Sequence, residues 1–151
     1  MARAPFQVLV FPYRREGRLY EFALFKRSDD GSWQGIAGGG EEHESPRRAA
    51  IRETVEETGI RASSAFMQLD TVSSIPVNCF KDHCLWAEKI YVIPEYCFGV
   101  DADDNPIRLS KEHSEFGWFK IREAMEKVKY DGNRTALWEL NRRLEESGPR
   151  D

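Results

Sequence analysis

Three carboxylates, Glu53, Glu56 and Glu57, recur at spacings of three and four residues within the segment RETVEET. On a helix that advances about 100° per residue they gather on one side. With Ile51 set at zero, Thr54, Val55 and Thr58 fall within about 60° of it, and the glutamates cluster roughly opposite. The expectation is a helix that packs through its Ile51 face and presents acid on the other. Like charges so spaced repel by roughly a few tenths of a kcal/mol per pair, and Glu56 and Glu57 lie at the carboxyl-terminal end, where the helix dipole also disfavours anions. A cation should offset that cost. Hard divalent ions such as Mg²⁺ take oxygen ligands and keep water or phosphate in their remaining positions, so the triad is a suitable mount. The alternative is a solvated acidic face salted by Arg47, Arg48 and Arg52.

Other residues qualify as partners of such a site. The run Gly38-Gly39-Gly40 precedes the helix; glycine permits close backbone approach or positive φ, which suits a loop facing phosphate or metal. Lys26 and Arg27 end an apolar stretch and could meet phosphates, or serve as ordinary surface cations. Trp33 and Gln34 stand just before the glycines, where an aromatic ring could stack on a base or pterin, or pack in the core. Cys79, His83 and Cys84 lack the fourth ligand and the spacing of a zinc site.

These residues need a frame. Phe6–Tyr13 and Leu19–Phe25, rich in β-branched and aromatic residues and joined across RREGR, predict a hairpin. Ser45 suits a helix N-cap, Pro46 the first helical position and Gly59 a left-handed stop, which bounds a helix over 46–58. Ile60–Val72 and Lys89–Val100 predict strands. The Ser73–Glu88 stretch between them reads as a loop able to reach over a site. Phe116–Phe119 predicts a short strand, and Ile121–Val128 and Thr135–Leu144 carry helical spacing. The order of elements suggests one α/β domain, an α/β/α sandwich with a mixed sheet covered on both faces.

The 151 residues suit a single domain, and a hydrophobic fraction of 40% can build its core. Lys and Arg number 22 against 26 Asp and Glu, a net charge of -4. That balance, with no basic patch interleaved with aromatics, points away from nucleic acid as a partner. Cys79, Cys84 and Cys97 are odd in number and do not form a secreted disulfide framework, and the amino terminus resembles neither a signal peptide nor a membrane span. The expectation is a soluble cytoplasmic protein.

The stretch GGGEEHESPRRAAIRETVEETGI, Gly38–Ile60, resembles the Nudix box: Gly, five residues, Glu, seven residues, then Arg-Glu-hydrophobic-any-Glu-Glu-any-Gly-hydrophobic. Gly38, Glu44, Arg52, Glu53, Glu56, Glu57, Gly59 and Ile60 fall in register, and Thr54 departs from the aliphatic position. The resemblance implies a pyrophosphohydrolase in which Glu53, Glu56 and Glu57, with the Gly38 carbonyl, hold Mg²⁺ or Mn²⁺. Arg52 would orient the carboxylates and Glu44 would brace the preceding loop. The general base in this family comes from the box or from a loop outside it. The segment KEHSEFGWF resembles a Glu-His segment preceding a Trp in many members, which makes Glu112 and Glu115 the outside candidates, with His113 in a structural role.

Trp33-Gln34 before the glycines and Asn133-Arg134 at the start of the last helix resemble the bacterial dihydroneopterin triphosphate pyrophosphatases, also described as dATP pyrophosphohydrolases. By that likeness Arg27, Trp33, Gln34 and Asn133 would bind a nucleoside or pterin triphosphate. Hydrolysis of dinucleoside polyphosphates or oxidised nucleotides, and a non-catalytic nucleotide-binding module, are the alternatives. The family resemblance also admits a homodimer, with Trp86, Tyr130 and Trp138 either at its interface or packed in the core.

Overall fold

The computed structural model describes residues 3–80, 86 and 89–147. A seven-stranded mixed sheet forms the middle layer. Its central strand β1 (Arg3–Glu16) reads QVLVF, apolar without alternation from Val8 to Phe11, as a strand covered on both faces should. One edge of β1 pairs in parallel with β6 (Val92–Asp101). The other edge is shared between β4 (Ile36–Glu41) and the hairpin partner β2 (Leu19–Arg27), both antiparallel. The hairpin turns at Gly17, whose φ of 65° favours glycine. β2 in turn pairs with β3 (Trp33–Gln34) and β7 (His113–Lys120), and β5 (Phe66–Pro76) closes the far side against β6.

Helices cover both faces, so the α/β/α sandwich stands. Val8, Val10, Phe25 and Ile36 point to α1 (Pro46–Thr58), where they meet Ala49 and Ala50. Leu9, Phe11, Phe22 and Leu24 point the other way, to α2 (Ile121–Lys127) and α3 (Asp131–Ser147), and meet Leu137 and Leu140. Period-two alternation along β1 and β2 therefore sorts side chains into two separate cores. Among the described residues no helix is long and apolar enough to cross a membrane.

Four expectations change. The glycine run is not an irregular loop but strand β4, and none of its three glycines has positive φ. The glycines are needed for proximity: added Cβ atoms at Gly38, Gly39 and Gly40 would overlap the Glu53 carboxyl, the Arg3 guanidinium and the Phe6 ring respectively. The strand expected from Ile60 begins only at Phe66, and it runs on through Ser73–Pro76 into the expected loop. Cross-strand pairing to Val92–Glu95 overrides the loop-like composition of Ser73 and Ser74. A single 3₁₀ turn at Val77–Cys79 follows, and His83 and Cys84 lie outside the described residues. Finally, α3 begins four residues before the expected Thr135, at Asp131.

Candidate active site

The caps of α1 are those the sequence predicts. Ser45 Oγ accepts from the Arg48 amide at 3.2 Å, Pro46 opens the helix, and Gly59 ends it at φ 77°. The packed face is not centred on Ile51, however. Ala49, Ala50, Thr54, Glu57 and Thr58 are buried, while Val55 is exposed. Small alanines let the helix sit close to the sheet and turn its Thr54–Glu57 side inward. Thr54 fits the aliphatic position because its hydroxyl donates to the Ala50 carbonyl at 2.7 Å and leaves only the methyl to pack.

The three glutamates consequently differ in environment. The Glu56 side chain is 55% exposed and that of Glu53 only 13%. Glu57 is buried and accepts a short hydrogen bond from the Ser110 hydroxyl. Burial pushes the Glu53 carboxyl up to about 7, against the opposing pull of Arg52. The cation that offsets the repulsion comes from the helix itself. Arg52 donates through Nη1 to Glu53 at 2.9 Å and to Glu56 at 3.4 Å, through Nε and Nη2 to Glu44 at 2.9 and 3.0 Å, and through Nη2 to the Gly39 carbonyl at 2.8 Å. Glu44 also accepts from the Glu41 amide at 2.9 Å, tying the β4–α1 connection to the same guanidinium.

This donor set fits a hard divalent ion: three carboxylates, two of them shielded from water, beside a strand that comes close because Gly38 has no side chain. As placed, no three His, Cys, Asp or Glu side chains among the described residues converge on one point. Gathering the three around an ion requires side-chain rotation, since Arg52 holds Glu53 and Glu56 while Glu57 faces Ser110. Replacing Gly38 by Ala tests the approach. The overlapping group is the mobile end of Glu53, so the melting temperature should fall by no more than about 5 °C, whereas displacing the carboxylate should lower kcat by about 10-fold to 100-fold. Unchanged turnover would show that the closeness of β4 to Glu53 is incidental.

Beyond α1, His113 is buried with Nδ1 3.4 Å from Glu57 and its ring tilted against Phe25 at 5.4 Å. Burial lowers its pKa, so the imidazole favours its neutral form. Glu112 is exposed and lines a 340 Å³ hollow with Arg27, Gln34 and His113. Glu115 is instead paired with Lys26 at 3.5 Å across β2 and β7, which occupies both residues away from the hollow. Arg27 donates to both Asp29 oxygens, at 2.9 and 2.6 Å.

A larger cleft of about 480 Å³ opens on the α3 side of the sheet, with Arg27, Gln34 and Asn133 in its wall. Arg27 and Gln34 belong to both cavities, so the cleft and the hollow beside Glu112 and His113 share a wall. Asn133 Oδ1 accepts from the Gly35 amide at 3.0 Å, while Arg134 donates to the Met125 and Val128 carbonyls and holds α2 to α3. Of that pair only Asn133 reaches the cleft. Trp33 does not line it: its ring packs edge-on to Phe119 at 5.6 Å under Lys127, because its place in β3 turns it toward α2. Tyr130 borders the cleft, Trp138 is 56% exposed on α3, and the Trp86 indole donates to the Arg3 carbonyl at 3.0 Å.

Three residues escaped sequence reasoning: Ser110, Gln7 and Glu95. Ser110 carries no sequence signal. Glu95 did carry one, since the inward-facing positions Ile93 and Cys97 flank it at period two, which places a charge where an apolar residue belongs.

Comparison with known proteins shows the family to which this fold belongs. The NUDIX domain profile matches residues 4–140. A Listeria monocytogenes protein described as a NUDIX hydrolase superposes with a TM-score of 0.85 at 38% identity, covering 95% of this chain and 96% of its own. The dihydroneopterin triphosphate diphosphatase of Haemophilus influenzae is 29% identical, over 86% of this chain and 83% of its own. The RNA pyrophosphohydrolase of Roseobacter denitrificans is 28% identical, over 85% of each. The chain belongs to the NUDIX domain family. Within that family it is a pyrophosphohydrolase.

Proposed function

We propose that the substrate is a nucleoside triphosphate or dihydroneopterin triphosphate, cleaved at a phosphoanhydride with help from Mg²⁺ or Mn²⁺. The observation that carries this reading is the wall shared by the two cavities. Arg27 and Gln34 border both the 480 Å³ cleft, large enough for a ring and sugar, and the hollow that ends at His113 beside Glu57. A ring in the cleft would direct its phosphates past Arg27 toward α1. The name of the Haemophilus relative supports the substrate class.

Glu53, Glu56 and Glu57, with the Gly38 carbonyl, would hold the ion. When bound, it would neutralise phosphate charge and make an attached water more acidic. The chain's own residues do the rest. Arg52 holds Glu53, Glu56 and Glu44 near one another and ties the β4–α1 connection to the helix, so that a short side-chain rotation would bring the carboxylates onto the ion. Arg27 exchanges Asp29 for a phosphate, and Asn133 offers its amide N–H groups to the cleft, its oxygen being taken by Gly35. Water adds to phosphorus as the P–O bond to the leaving phosphate breaks. Glu112, exposed at the hollow, is positioned to accept the water's proton unless a box glutamate does so.

An assay of GTP, ATP and dihydroneopterin triphosphate, with Mg²⁺ or with EDTA, tests this reading. The expected result is release of pyrophosphate or monophosphate that stops under chelation. Turnover indifferent to EDTA would remove the ion, and tight nucleotide binding without turnover would favour a binding module.

A further inference from the structure

The floor of the cleft contains a carboxylate that hydrolysis of a triphosphate does not require. Glu95 lies on β6, is only 7% exposed, and lines the cleft beside its parallel neighbour Gln7 on β1. Among the described residues its side chain has one hydrogen-bond partner, Gln7 Nε2, at a long 3.3 Å. A carboxylate accepts at about four lone-pair positions, so most of the capacity of Glu95 is open toward the cleft. A buried charge left so sparsely paired is costly, and burial accordingly raises the Glu95 pKa.

The orientation of Gln7 is set from behind. Arg3 Nη2 donates to Gln7 Oε1 at 2.7 Å, which requires the amide oxygen to face the guanidinium and turns the NH₂ group to Glu95. Gly39 on the adjacent strand leaves room for that guanidinium, since a Cβ there would overlap it. The two carboxylate oxygens and the neighbouring amide N–H thus offer a ligand the series acceptor, acceptor, donor. Leu9 and Ala37 supply apolar wall beside them.

We propose that Glu95, held by Gln7, reads a planar ring edge bearing two adjacent N–H donors and then a carbonyl, the 2-amino-4-oxopyrimidine edge shared by guanine and pterin rings. Adenine presents a donor followed by an acceptor, cytosine a donor followed by two acceptors, and uracil an acceptor on either side of one donor. Each of these sets a lone pair against a carboxylate oxygen. Hypoxanthine keeps the N–H and carbonyl but lacks the amino donor. Sites built to hydrogen-bond a substrate N–H discriminate strongly against analogues without it, because their own buried groups are then left unpaired. This assignment rests on the proposed cleavage of a ring-bearing triphosphate and narrows it to one ring edge.

The test compares kcat/KM for GTP, dihydroneopterin triphosphate, ITP and ATP. The better of GTP and dihydroneopterin triphosphate should exceed ITP by at least about 10-fold and ATP by at least about 100-fold. The faster of that pair identifies the source of the ring. In Glu95→Gln, checked for folding by thermal melting, the ratio of the preferred substrate to ITP should collapse to within about threefold. Wild-type enzyme that cleaves ITP or ATP as well as both 2-amino compounds overturns the proposal, as does a folded Glu95→Gln that keeps the wild-type ratio. If that variant does not fold, the wild-type ratios decide. If no triphosphate is cleaved, the functional reading fails separately, and calorimetry with GMP, IMP and AMP decides instead: preference for GMP supports the edge assignment, while equal binding or none overturns it.

Discussion

Replacing Glu57 with Gln is expected to lower kcat by about 100-fold or more while the protein melts within a few degrees of the wild type. Glu57 is buried, and its fold-side contacts do not depend on its charge. The Ser110 hydroxyl and His113 Nδ1 both meet Glu57 Oε2, and an amide oxygen at that position can still accept from the Ser110 hydroxyl. What the substitution removes is the negative charge at the end of α1, next to His113 in the wall of the hollow. If that charge holds a divalent ion, the Mg²⁺ concentration for half-maximal rate should rise as kcat falls. Near-wild-type kinetics would sink the assignment of Glu57 as a ligand and leave it a structural residue of the α1 packing.

Arg52→Ala is expected to reduce both stability and turnover, the former by about 2–4 kcal/mol. One guanidinium ties α1 to β4 through the Gly39 carbonyl, fixes Glu44 by two hydrogen bonds and restrains Glu53 and Glu56. The Glu44 and Glu53 side chains are both only 13% exposed, so truncation would leave two shielded carboxylates without their cation. The melting temperature should fall by about 5–15 °C. Arg52→Lys should recover little of it, because an ammonium cannot span contacts that use three nitrogens of a planar fork. A melt unchanged in Arg52→Ala would show these pairs to be worth no more than exposed surface ion pairs.

The two variants separate organisation from chemistry. Glu57 should affect rate without stability, whereas Arg52 should affect both, since it is the only cation within the carboxylate array among the described contacts. Repulsion among the helix glutamates, visible from their spacing, is thus offset by a residue of the same helix before any ion arrives.

Local rules made α1 legible from the residues alone: Ser45, Pro46 and Gly59 act through backbone groups within one turn, and the motif that spans them identified the family. The strands β1, β2 and β7, the two covering faces and the candidate roles of Arg52 and Glu44 followed from short-range pattern or from that motif. Tertiary contact decided what periodicity could not. A helical wheel weighs Ile51 and Val55 as the packing side, but the closeness permitted by Ala49 and Ala50, with Ser110 waiting for Glu57, rotates the helix instead. Glycines that read as a loop became a strand because side chains distant in sequence, Glu53, Arg3 and Phe6, fill the space their missing Cβ atoms leave. Whether Trp33 or Gln34 faces the cleft depends on strand pairing with β2, and the meeting of Gln7 with Glu95 depends on a parallel register between β1 and β6. Such pairings join residues far apart in the chain, so no spacing along it records them.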